Sequence, residues 1–169
     1  SCQVGKKGVF SFCMCPGGFV EIEDYKWFNP TGLKEELFTV NGHSYKNKKS
    51  DNTNFAILVH QEFTEPFGDQ LAYARDFVKA ANQLSKGKIL IQSLGDIRRG
   101  QRSTSERIKS LEKIIKPTLL EAVPGDLSLA IYHRFFVDII EMLDVMGRVI
   151  PGLAEDYILL YGNEVKFYC

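Results

Sequence analysis

The sequence predicts an α+β fold: a mostly antiparallel sheet covered on one side by about three helices. Two observations carry that expectation. Short β-favouring runs bounded by Pro, Gly and Asn turn pairs dominate both ends of the chain, while the three-to-four spacing of apolar residues that marks amphipathic helices is grouped in the middle. A third observation sets the scale. With 169 residues, 44% of them hydrophobic and 12% aromatic, the chain can bury a real core as one domain over residues 1–169.

The chain is organised around Gly8–Glu21, GVFSFCMCPGGFVE. Val9, Phe10 and Phe12 with Cys13-Met14-Cys15 favour a pleated backbone, and Pro16-Gly17-Gly18 ends the ladder before Phe19, Val20 and Ile22 begin a second strand. Two strands meeting at a glycine-opened turn that carries thiols suit close approach to a ligand, and equally suit a plain hairpin with two buried thiols. Asp24–Glu36 reads as a loop around Asn29-Pro30 and Thr31-Gly32, with Trp27 and Phe28 tucked at its base. Leu37–Val40 is a short strand, closed by the turn pair Asn41-Gly42.

His43–Asn54 is polar and reads either as a solvated connection or as a binding loop, with Asn52 and Asn54 able to orient polar groups. Phe55–Val59 is a buried strand. Asp69 then caps a helix with apolar positions Leu71, Ala74, Phe77, Val78, Ala81 and Leu84, ended by Gly87. Ile89–Ile91 is a strand that leads into LGDIRRGQRST at 94–104. There Arg98, Arg99 and Arg102 surround Gly100, a density of guanidinium groups able to grip a phosphate or carboxylate, or else to pair with the acidic last third. Ser103 and Glu106 have capping-box spacing ahead of a short helix stopped at Lys116-Pro117. The longest helix is expected from Pro124-Gly125-Asp126 to Gly147, followed by strands at 157–161 and 165–168.

Lysines and arginines number 21, as do aspartates and glutamates, so the net charge is zero and a dedicated nucleic-acid binder is not expected. The longest apolar runs, FAILV and YILLY, fall far short of the roughly 20 residues of a membrane span. With no apolar leader in SCQVGKKG, a cytoplasmic setting is the expectation. His43, His60 and His133 are scattered, so no metal site is expected. On a regular strand Cys13 and Cys15 stand on the same side about 7 Å apart, beyond bridging range. Strands close to both ends suggest a domain inserted into a longer chain.

Four stretches, FSFCMCPGGFV at 10–20, VNGHSYKNKKSDNTNFA at 40–56, LGDIRRGQRST at 94–104 and IPGLAEDYILLYGNEVKFY at 150–168, resemble the central part of a family of FAD-dependent dehydrogenases, described as uncharacterised NAD(P)/FAD-dependent oxidoreductases. The resemblance spans nearly the whole chain. It implies an inserted, substrate-side domain that folds over the flavin of a parent protein whose dinucleotide-binding domain is its partner, with a small molecule as substrate. The GxGxxG turn of that nucleotide domain is absent from this sequence, so FAD is expected in the parent and not on this chain. NAD and NADP both stay open as electron partners. The resemblance makes Cys13 and Cys15 the candidates for a catalytic role, and Pro16, Gly17, Gly18, Asn52, Asn54, Arg98, Arg99 and Arg102 the candidates to face flavin or substrate. The rival reading is a non-catalytic module that docks an anionic partner through Arg98–Arg102.

Overall fold

The computed structural model describes residues 8–28, 32 and 34–166. The chain runs through strands β1 (Val9–Pro16), β2 (Phe19–Phe28), β3 (Lys34–His43) and β4 (Thr53–Val59), then helix α1 (Gln70–Ser85) and strand β5 (Leu90–Ser93). Helices α2 (Leu94–Arg98) and α3 (Ser105–Leu111) follow, then the short strand β6 (Val123–Pro124), helix α4 (His133–Val149) and strand β7 (Leu159–Gly162). This is the α+β class with mainly antiparallel pairing. Among the described residues the strands form three small sheets, β1 with β4, β2 with β3, and β6-β5-β7, in which only β5 and β6 run parallel.

The hairpin expected around Pro16-Gly17-Gly18 is not formed. β1 pairs with β4, from Val9 opposite Val59 to Pro16 opposite Thr53, while β2 pairs with β3 from Phe19 opposite His43 onward. The turn hands the chain from one sheet to another. The reason lies in the apolar partners: FAILV gives Val9 and Phe10 an apolar strand to lie against, and Val20 and Ile22 pack with Val40, Ile89 and Leu119 in a separate cluster.

The same tertiary demand overrides two local turn signals. Asn41-Gly42 stays inside β3, with Gly42 opposite Val20, and the loop expected over Asp24–Glu36 is shortened by β2 reaching Phe28 and β3 starting at Lys34. The turn residues 29–31, and the side chains of Trp27 and Phe28, lie outside the described residues.

α1 follows its sequence pattern closely. Asp69 accepts from Ala72 N at 2.8 Å, and the Gly87 amide closes the far end on the Asn82 carbonyl at 2.8 Å. Asn82, 8% exposed, turns its amide onto the outer edge of β3, donating to Phe38 O at 2.8 Å and accepting from Phe38 N at 2.7 Å. A side-chain amide thus replaces the missing strand neighbour.

The long helix expected from Asp126 is broken. Asp126 caps only a 3-10 turn, Leu127–Leu129, and α4 begins at His133 and runs past Gly147 to Val149. The break turns the Ala130 carbonyl toward the Asn163 side-chain amide at 3.4 Å and stacks Tyr132 against Tyr73 and Phe77. Residues 165 and 166 are not in a strand, and 167–168 lie outside the described residues.

α4 supplies Met142, Leu143 and Met146 to the main core, where they meet Val9, Leu94 and Leu153 with Phe55, Ile57 and Val59 packed around them. The β1–β4 sheet is therefore seated on α4. Its thiol-bearing end projects beyond that support.

Candidate functional site

Alternation along β1 would bury one of any two neighbours, yet Phe12, Cys13 and Met14 are all exposed, Phe12 at 43% and Met14 at 51%. The cause is a bulge. Phe12 lies opposite Ala56 and Cys15 opposite Asn54, so β1 takes one more step than β4, and Cys13 adopts a left-handed φ of +46°. The regular strand assumed for the two cysteines is thus interrupted between them. Cys15 Sγ turns back toward residue 13, 3.4 Å from the Cys13 carbonyl oxygen, and both residues are free thiols.

The turn that follows is tied down by the polar tract. The Gly18 amide donates to Cys15 O at 3.0 Å, Ser50 N donates to Gly17 O at 2.9 Å, and Ser50 Oγ donates to Gly18 O at 2.5 Å. Lys49 lays its methylenes over Gly17, which sits at φ +68°. The tract at 43–54 therefore has a structural duty whether or not it binds anything.

Gly18 and Gly42 are glycines because Asn54 fills the space beside them. A Cβ on Gly18 would stand 2.7 Å from Asn54 Nδ2 and from Cys15 Cβ, and one on Gly42 would stand 2.6 Å from Asn54 Oδ1. Wedged there, the Asn54 amide is buried, and neither of its polar atoms has a hydrogen-bond partner among the described residues. Asn52 is differently placed: its Nδ2 donates to Lys116 O at 2.6 Å.

The arginine loop is organised by a residue that the sequence reading passed over. Asp96, 1% exposed, accepts from Ser103 Oγ at 2.6 Å, Gln101 Nε2 at 2.8 Å and Arg107 Nε at 3.1 Å. Burial pushes its carboxyl up, but these three partners outweigh burial and hold it below the usual Asp value. Ser103, committed to Asp96, leaves the capping of α3 to Thr104, whose Oγ1 accepts from Arg107 N at 3.4 Å. The signal was an aspartate set among three arginines, right after a short apolar strand, in a loop otherwise poor in carboxylates.

Arg98 and Arg99 point toward the acidic last third. Arg98 donates to Asp144 Oδ1 at 2.7 Å, Asp156 Oδ1 at 3.1 Å and Ala154 O at 2.8 Å, bracing α2 against α4. Arg99 donates to Asp156 Oδ2 at 3.1 Å. Arg102 is exposed, and its guanidinium has no hydrogen-bond partner among the described residues. No hydrogen bond or ion pair joins these arginines to the Cys13–Gly18 turn among the described residues.

Just past the turn, Phe19–Ile22 and Thr118–Glu121 line a shallow groove of about 470 Å³. Lys48 stands at its rim, 4.1 Å from the Phe19 ring centroid, and Tyr45 donates to Glu21 at 2.5 Å. No group of three His, Cys, Asp or Glu side chains able to hold a metal occurs among the described residues, and no helix among them is long and apolar enough to cross a membrane.

The exposed turn presents surface of a kind that a planar ring can lie against. Phe12, Cys13 and Met14 offer apolar and polarizable contact suited to a ring edge. A diphosphate finds less, with Arg98 and Arg99 already paired to carboxylates.

A family described as "FAD-dependent protein, C-terminal domain-like" matches residues 1–166. Its description is of a C-terminal domain, where the resemblance in the sequence implied a central insert. An uncharacterized protein of Clostridium beijerinckii (strain ATCC 51743 / NCIMB 8052) is 31% identical over 105 residues, a match that covers 59% of this chain and 18% of that protein. No solved structure matches.

Proposed function

The chain belongs to the FAD-dependent protein C-terminal domain-like family, and from that membership we propose that it is the substrate-side domain of a FAD-dependent oxidoreductase, folding over the flavin ring and shaping the pocket beside it. The observation that carries this reading is the exposed Phe12-Cys13-Met14 tip, held on a turn that Ser50 ties at two points. Exposed apolar side chains on a fixed backbone are what a covering domain needs, because contact with a flat ring rewards rigid surface. FAD, when bound, supplies the two-electron acceptor for substrate oxidation. This chain's residues cover the ring, exclude water and orient the substrate.

The dinucleotide-binding part of the parent protein is the partner in this reading. FAD is the cofactor that the family's description names, and the proposal is limited to it. Arg102, the guanidinium left open, is the residue suited to an anionic substituent of the substrate. The rival reading, a docking module built on Arg98–Arg102, has two of its three guanidinium groups committed to Asp144 and Asp156.

Flavin absorbance of the full-length protein tests the proposal. Replacing Phe12 and Met14 together by serine is expected to lower flavin occupancy or turnover while leaving the fold intact, since both side chains are exposed. Unchanged occupancy and unchanged turnover would contradict it.

A further inference from the structure

We propose that Cys13 and Cys15 are a reversible dithiol–disulfide pair, with Cys13 as the thiol that meets the oxidant, Cys15 as the resolving thiol and Asn54 as the hydrogen-bond donor to the Cys15 thiolate. Three features of the bulge converge on this. Cys13 is exposed, as the first thiol to react must be. Cys15 Sγ already lies 3.4 Å from the Cys13 carbonyl oxygen, so the second sulfur is directed at the first residue and not along the strand. The extra residue of β1 also releases this segment from the ladder, so closing a bridge there breaks no pairing between Phe12 and Cys15.

Asn54 is the independent observation. Its Nδ2 and the Cys15 Cβ both lie 2.7 Å from the one point where a Gly18 Cβ would stand, and the amide has no hydrogen-bond partner among the described residues. A buried amide without a bond is costly in a purely structural role. Packed near the Cys15 side chain, whose sulfur must pass through its anion, the same amide is a donor in waiting, with Gly18 and Gly42 providing the room for it.

With a low-molecular-weight disulfide as oxidant, the Cys13 thiolate attacks one oxidant sulfur, forming a mixed disulfide and expelling a thiolate. The Cys15 thiolate then attacks the Cys13 sulfur, forming the Cys13–Cys15 bond and expelling the second thiolate. The protons of the two protein thiols end on the two released thiols. Excess reduced thiol reverses both steps. The inference does not depend on the flavin reading and can fail or hold apart from it.

The test uses the chain with Cys2→Ser and Cys169→Ser, leaving two thiols, equilibrated in mixtures of oxidised and reduced glutathione, quenched in acid and weighed intact. The expected product has lost about 2 Da, carries no glutathione and reverts with reduced glutathione. Adding Cys15→Ser should leave one glutathione adduct at Cys13. Asn54→Ala should slow closure about tenfold near neutral pH, the worth of one hydrogen bond to a charged acceptor, and move the pH–rate profile of closure upward. Two independent glutathione adducts, or no reaction at any ratio, would overturn the pair. Closure with an unaltered rate and pH profile in Asn54→Ala would overturn the role of Asn54.

Discussion

At the scale of single residues, the turn is decided by an amide between two glycines. Gly18→Ala would put a methyl group 2.7 Å from Asn54 Nδ2 and 2.8 Å from the Cys15 carbonyl oxygen, a backbone atom that cannot step aside. A loss of about 1–3 kcal/mol is expected from this overpacking, read from the urea midpoint, and Asn54→Ala should restore only part of it. Asp96 makes the second residue-scale prediction. Its folded-state carboxyl titrates below the unfolded one, so its stabilisation is fully present above about pH 4 and is lost as pH falls through the lowered folded value. Asp96→Asn should lower stability by about 2 kcal/mol at neutral pH and flatten the acid limb of the stability–pH curve. A curve parallel to that of the parent sequence would show that Asp96 is not the group titrating. The cysteines, the glycines and the arginines were legible in the sequence as unusual residues. The acidic last third was legible as a partner for the arginines, and Asp144 and Asp156 bear that out, but the individual carboxylates and Asn54 were not, because they come from other elements and no local spacing announces such a meeting.

At the scale of elements, legibility followed how local the cause was. β1, β4 and α1 could be read from the chain because a run of β-branched and aromatic residues, or a cap and a periodic face, acts within a dozen residues. The turn pairs at Gly17-Gly18 and Asn41-Gly42 misled about pairing, since a ten-residue ladder between β2 and β3 and the docking of β1 on β4 outweigh a local turn preference. α2 was missed for its brevity, and the break before α4 because the groups it meets, Asn163, Tyr73 and Phe77, lie on distant parts of the chain. The join between α1 and β3 rests on Asn82. Asn82→Leu should leave both backbone groups of Phe38 without a partner, cost about 2 kcal/mol, and speed hydrogen exchange at the Phe38 amide while amides facing β2 keep their protection. Equal protection at Phe38 in both proteins would mean that the Asn82 side chain is not what shields this amide.

At the scale of the molecule, the main core cluster is built from side chains of α4, the β1–β4 sheet, β7 and Leu94 of α2. The chain by itself is therefore expected to fold and to purify colourless, checked by a cooperative thermal transition and an absorbance scan. A stoichiometric flavin spectrum from the chain alone would mean that it carries contacts to the diphosphate as well as to the ring. What the sequence conveyed at this scale was the class and the family. The proposed function requires that the Cys13–Gly18 turn face the flavin. A structure of the full-length, flavin-loaded protein tests it most directly: Phe12, Cys13 or Met14 should lie within about 4.5 Å of the isoalloxazine, and a turn more than about 10 Å from the ring would contradict the account.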